Sequence, residues 1–223
     1  MNSLTDNPNL TQLLDELHAA SDAQLGPIGE FLGDGDDRRP TGFEPDGSPD
    51  RTFWHDKLVA IDADKARFVY QIARSIDAHH ILEAGTSHGV STLYLAAAIH
   101  DNGGGDVTTF EHEAHKADIA RAHLEQVDLD RYVSIEVGDI RTTLADHEGS
   151  VDLLLLDIWA PIAGEVLGLA HRHLRPGAVV IADNIDSRAS LYRDLVERLD
   201  DPEFGYGRVT VPFDGGLAFA VKH

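Results

Sequence analysis

The chain has 223 residues, enough for one well-buried domain and too few for two full ones. It contains no cysteine, so disulfides, thiolate nucleophiles and Cys-ligated metal centres are excluded, and any metal must be held by oxygen or imidazole. Its 39 Asp and Glu against 18 Lys and Arg give a net charge of −21, which repels phosphate backbones and argues against a nucleic-acid partner.

No apolar run approaches the roughly 20 residues of a membrane span, and the first residues lack the basic-then-apolar pattern of a signal peptide, so the expectation is no membrane and a cytoplasmic location. Lysine occurs only at Lys57, Lys65, Lys116 and Lys222. The acidic excess reads as a solvated surface or as adaptation to salt.

In chain order, Leu10, Leu13, Leu14 and Leu17 mark an amphipathic helix, and Leu25, Ile28, Phe31 and Leu32 suggest a second short one. These are candidate lid or subunit-contact elements, a homodimer through them being one expectation. Residues 33–50, rich in Gly, Asp and Pro, read as a mobile loop or linker, so 1–56 form an N-terminal helical extension and 57–223 the main domain. A helical pattern returns over 62–76. Strands at 80–83, 107–111, 133–137, 151–157 and 178–183 then alternate with helices at 90–100, 114–126 and 162–173, with Pro176-Gly177 as a turn before the last of these strands. Alternation of this kind implies an α/β fold with a parallel sheet covered on both faces. After a helix at 191–199, the runs 207–211 and 217–221 flank Pro212-Phe213-Asp214-Gly215-Gly216 and read as a closing β-hairpin.

The segment Ile81-Leu82-Glu83-Ala84-Gly85-Thr86-Ser87-His88-Gly89-Val90-Ser91-Thr92 runs from an apolar strand through a glycine turn into a helix. Gly85 and Gly89 let backbone approach a ligand, and the helix start aims free N–H groups at the same place. The spacing is G-x-x-x-G and not the G-x-G-x-x-G of a pyrophosphate site. With Thr86, Ser87 and His88 filling the loop, the turn suits S-adenosylmethionine better than NAD.

In an open parallel sheet the ligand crevice lies beyond the C-terminal strand ends. Five such ends carry an acid: Glu83, Glu111, Asp139 after Gly138, Asp157, and Asp183 with Asn184. Glu111 stands roughly 20 residues beyond the glycine turn, where an acid accepts ribose hydroxyls, or it caps the helix from Ala114. Asp139 either accepts from an adenine amino group or caps the helix from Ile140. If the fourth and fifth strands are adjacent, Asp157, Asp183 and Asn184 converge as an oxygen set suited to a hard cation such as Mg²⁺; otherwise they are a helix cap and a turn.

Together these segments, with Leu155-Leu156-Asp157-Ile158-Trp159 and the run from Leu174 to Asn184, make the chain resemble the cation-dependent O-methyltransferases of the catechol and caffeoyl-CoA type, within the class I S-adenosylmethionine-dependent methyltransferases. The resemblance spans roughly Lys57 to Lys222 and implies a Rossmann-like seven-stranded, mostly parallel sheet ending in an antiparallel hairpin. It implies that Glu83, Gly85, Ser87, Gly89, Ser91, Glu111, Asp139, Asp157 and Trp159 surround the cofactor, and that Asp157, Asp183 and Asn184 hold the cation. The chain departs from the pattern in two places: Ala160 stands where the family commonly has a lysine base, and Arg208 stands near the position of an acid that grips a catechol.

The expected activity is methyl transfer to a hydroxyl of a small, hydroxylated, aromatic molecule, with Asp157 and His88 as candidate catalytic residues and His55 as another candidate base. The rival readings are a nicotinamide-dependent oxidoreductase and a non-catalytic S-adenosylmethionine-binding protein.

Overall fold

The computed structural model describes residues 3–32, 50–187 and 189–223. Seven strands form one sheet: β1 His80–Ala84, β2 Asp106–Glu111, β3 Val133–Val137, β4 Val151–Leu156, β5 Leu174–Asp183, β6 Tyr206–Val211 and β7 Leu217–Lys222. Their order is β3-β2-β1-β4-β5-β7-β6. The first five are parallel, and β7 runs antiparallel between β5 and β6. The expected seven-stranded, mostly parallel sheet with a closing hairpin is the one observed.

Side chains of successive strand residues alternate between faces, and β4 uses both. Leu153 and Leu155 enter one core with Val179 and Ile181, while Leu154 and Leu156 enter the other with Val180 and Ala182. All four leucines are at most 1 % exposed, and burying each stabilises the fold by about 1.5–3 kcal/mol. A continuous apolar run therefore becomes a central strand.

On the first face lie α2 (Pro8–Leu32), α4 (Ala63–Ser75), α5 (Val90–Asp101) and α6 (Ala114–Gln126); on the second, α7 (Ile140–Thr143), α8 (Ala160–Ala170) and α9 (Arg193–Asp200). The other described elements are two short helices, α1 (Ser3–Asp6) and α3 (Arg51–Trp54), and two 3-10 turns, Asp130–Tyr132 and Leu144–Asp146. Residues Val90 to Ile99 of α5 are all buried, as befits a helix that is apolar on every side.

Two expectations are corrected. The two N-terminal helices are one, α2, which continues through Pro27; the missing N–H forfeits a single bond, and Leu10, Leu13, Leu14, Leu17 and Ile28 stay buried along its length. Leu10, Leu13, Leu14 and Leu17 pack into the first core, whereas Leu25 is exposed. The Pro176-Gly177 turn lies inside β5: the register jumps from Val151 beside Leu174 to Leu153 beside Val179, so the turn is absorbed as a bulge. The candidate loop at 33–50 lies outside the described residues except for Asp50.

The chain moves outward from β1 through β2 to β3, then restarts beside β1 with β4 and moves the other way. This reversal opens a crevice at the C-terminal ends of β1 and β4, where Gly85 and Asp157 follow the last paired residues, Ala84 and Leu156.

Candidate active site

Gly85 adopts φ +101°, and a Cβ there would lie 1.9 Å from the Asp157 carbonyl oxygen. No other residue fits, because the two chains touch: the Asp157 N–H donates to the Ala84 carbonyl at 3.0 Å. Gly89 caps α5 at φ 84° and packs on Ala120, whose Cβ would be 3.0 Å from an added one. Its role in this structure is helix packing, and it is not among the residues that line the cavity.

Above the turn lies a cavity of about 920 Å³. The Gly85 and Thr86 N–H groups both donate to the Phe110 carbonyl at 3.1 Å, drawing the loop against the end of β2. There the Glu111 carboxylate accepts from the Ser87 N–H at 2.7 Å and from the Glu113 N–H at 2.8 Å. Glu111 is thus fixed by backbone on both sides. Gly85, Ser87, His88, Ser91 and Glu111 all line the cavity.

Glu83 lies beneath that floor, fully buried and outside the lining. Its Oε2 accepts from Thr92 at 2.5 Å and Thr109 at 2.6 Å, and Thr109 in turn meets Thr86 at 2.7 Å. Its Oε1 has no partner. Burial pushes its carboxyl up to about 7, against the opposing influence of the Ser91, Thr109 and Thr92 hydroxyls.

The fourth and fifth strands are adjacent, with Leu156 beside Ala182, so Asp157 and Asp183 do converge. Asp183, together with Asn184, meets Lys65. Its Nζ lies 2.7 Å from Asp183 Oδ1, 3.0 Å from Asp62 Oδ2 and 3.2 Å from Asn184 Oδ1, with the side chain 1 % exposed. An ammonium has three N–H donors, and three oxygens receive them. Burial lowers the Lys65 basicity, but the bonds and charges of Asp183 and Asp62 outweigh it and hold the amine above its ordinary value. Burial raises Asp183, opposed by Lys65. Burial, with the charges of Asp183 and Glu83, raises Asp157 well above the usual carboxylate range.

A divalent cation does not fit this arrangement. Mg²⁺ needs oxygens at 2.0–2.1 Å, but Asn184 Oδ1 already accepts from Lys65, Asn184 Nδ2 donates to Asp183 Oδ2 at 3.0 Å, and the Asn184 N–H donates to Asp183 Oδ1 at 2.8 Å. Sequence reasoning missed Lys65. The signal was its position on the apolar face of α4, with Ala66, Val69, Tyr70 and Ala73.

Asp139 lines the cavity and also caps α7, accepting from the Arg141 N–H at 3.0 Å while its carboxylate holds the Arg141 guanidinium at 2.6–3.1 Å. Those bonds to Arg141 hold it down at about 2. Trp159 stands edge-on to Trp54, ring centres 5.4 Å apart, and both line the cavity. Phe53 meets Trp54 edge-on and stacks on Phe31 at 3.5 Å, an aromatic ladder from α2 to the mouth.

His88 lies in the cavity wall with a buried, unpartnered Nε2, and burial presses it down to about 4. His55, Glu113 and His115 bring ligand-type atoms within 4.8 Å of one another, and His55 and Glu113 are on the cavity rim. This is the one such group among the described residues. Lys116, its basicity lowered by burial, also lines the cavity. Arg208 is bound to Asp200 through two 2.7 Å bonds and is not part of the lining. Ala160 opens α8 and brings no functional group.

Compared with known proteins, residues 82–185 match the methyltransferase domain family. Those residues run from the glycine turn to just past Asn184. An O-methyltransferase from Bacillus cereus in complex with SAH superposes with a TM-score of 0.68 at 21 % identity, over 99 % of this chain and 95 % of that one. The two chains share the fold. The catechol O-methyltransferase of Niastella koreensis is 30 % identical over 131 residues, 57 % of this chain and 58 % of the relative. That of Mycobacterium tuberculosis is 31 % identical over 128 residues, 57 % of each. The matches thus span a little over half the length of these curated relatives. Among the described residues, no helix is long and apolar enough to cross a membrane.

Proposed function

We propose that the chain transfers a methyl group from S-adenosylmethionine to a hydroxyl of a small aromatic acceptor. The carrying observation is the Gly85 turn locked to Glu111: a bare backbone floor with a carboxylate held beside it by the Ser87 and Glu113 N–H groups. Such a carboxylate retains lone pairs for the two hydroxyls of a ribose, and Ser87 stands where a pyrophosphate turn has its second glycine. Asp139, Gly138 and Ile140 form the wall that would take the adenine.

Trp54 and Trp159, at right angles, suit a flat acceptor, and the names of the curated catechol relatives support one. In the proposed step the acceptor oxygen attacks the sulfonium methyl carbon, the carbon–sulfur bond breaks, and S-adenosylhomocysteine leaves neutral at sulfur. The hydroxyl proton passes to the Asp157 carboxylate, which lines the cavity beside the turn. His88, held near 4, binds a proton too weakly to compete. The divalent cation expected from the sequence has no part in this step.

The test is transfer of labelled methyl to a panel of phenols. Asp157→Asn should lower turnover about 10²- to 10⁴-fold while S-adenosylmethionine still binds. Undiminished turnover would remove Asp157 from the mechanism, and no transfer to any hydroxylated aromatic would defeat the acceptor class.

A further inference from the structure

We infer that Lys65 is the resident cation of this site: its ammonium occupies the centre of the Asp62, Asp183 and Asn184 oxygens, and the chain holds no divalent ion there. The inference concerns what the oxygens bind, and it stands apart from which acceptor is methylated.

Three observations carry it. First, the lysine is built in from the fold, because α4 places it one turn above Asp62 on the helix's buried face, and the side chain is 1 % exposed. A buried ammonium must be matched by acids, and the buried Asp183 and the exposed Asp62 supply them. Second, the donor count closes: three N–H bonds of one ammonium meet three oxygens at 2.7, 3.0 and 3.2 Å. Third, Asn184 is locked in the orientation that serves the lysine. Its backbone is left-handed, at φ 59°, its amide nitrogen is bound to Asp183, and Gly215 is so close that a Cβ there would come within 2.5 Å of Asn184 Oδ1. Turning that oxygen toward another ion means breaking the Asn184–Asp183 bond. A divalent ion added beside the ammonium would bring two positive centres onto the same buried Asp183 carboxylate, which is unfavourable.

Manganese uptake, followed by electron paramagnetic resonance of free Mn²⁺, tests this directly. The titration is run on His115→Ala protein, so that the cluster of His55, Glu113 and His115 contributes no site. Expected is no Asp183-dependent Mn²⁺ when Lys65 is present, and about one Mn²⁺ per chain in the additional Lys65→Ala variant, lost again with Asp183→Asn. One Mn²⁺ per chain in the Lys65-containing protein that Asp183→Asn abolishes would overturn the inference. So would a folded Lys65→Ala protein that takes up none. If Lys65→Ala does not fold, the Lys65-containing titration decides alone. Calorimetry with S-adenosylmethionine on the same samples reports separately on the proposed function.

Discussion

Glu83 is a residue whose ionisation the fold resists. It is fully buried, has one unpartnered oxygen, and its carboxyl is raised to about 7 from an ordinary 4.5. Folding therefore favours the protonated form. The associated stability is fully present below about pH 4.5 and is lost as pH rises through about 7, a difference on the order of 3 kcal/mol. Glu83→Gln should flatten the fall in unfolding free energy between pH 4.5 and 8; parallel curves for the two proteins would place the raised carboxyl elsewhere. At Gly85 the constraint is steric. An alanine Cβ would strike the Asp157 carbonyl at a backbone angle that side chains avoid, so Gly85→Ala should lose about 1–3 kcal/mol of stability and bind S-adenosylmethionine more weakly. Both residues were legible in the sequence as a glycine turn after an acid-ended strand. That Glu83 lies under the floor and outside the cavity lining was not, because alternation within a strand buried on both faces carries no mark of which side opens to a ligand.

Among the elements, α2 does the work of a wall. Its Ser21 accepts from the Ala60 N–H at 3.1 Å and its Gln24 from the Leu58 N–H at 3.2 Å, holding the strip Leu58 to Ile61 along the cavity rim. Removing residues 1–32 would expose Leu10, Leu13, Leu14 and Leu17 and release that strip. At about 1.5–3 kcal/mol for each buried leucine, the truncated chain should lack a cooperative thermal transition; a sharp transition near that of the whole chain would show that α2 is only an attachment. The leucine spacing was plain in the sequence. Its partner was not, because an amphipathic stripe does not say whether its cover comes from the same chain or another. Central strands β4 and β5 were legible for the opposite reason, since four consecutive leucines can be buried only between two layers. The bulge in β5 escaped because Pro-Gly marks a turn equally well within and before a strand. Lys65 escaped because a single charge on an apolar face is decided by its partners, and Asp183 lies 118 residues further along the chain.

For the whole molecule, the net charge of −21 is a uniform self-repulsion. Paired charges such as Arg208–Asp200 and Arg175–Asp152 relieve it only locally. Salt screens the remainder, with a screening length falling from about 10 Å at 0.1 M to about 3 Å at 1 M. The unfolding temperature should therefore rise as KCl is added over that range, and a flat or falling profile would count against charge repulsion as a limit on stability. The same field disfavours polyanions and leaves the Glu111 side of the cavity suited to a cationic ligand, which a sulfonium is. The most direct measurement is a calorimetric titration of the chain with S-adenosylmethionine and, separately, with NAD, repeated on Glu111→Ala. The account predicts one S-adenosylmethionine per chain, weakened at least about tenfold by the loss of a charged hydrogen-bond partner, and no NAD. Binding of NAD in place of S-adenosylmethionine, or binding indifferent to Glu111, would contradict it.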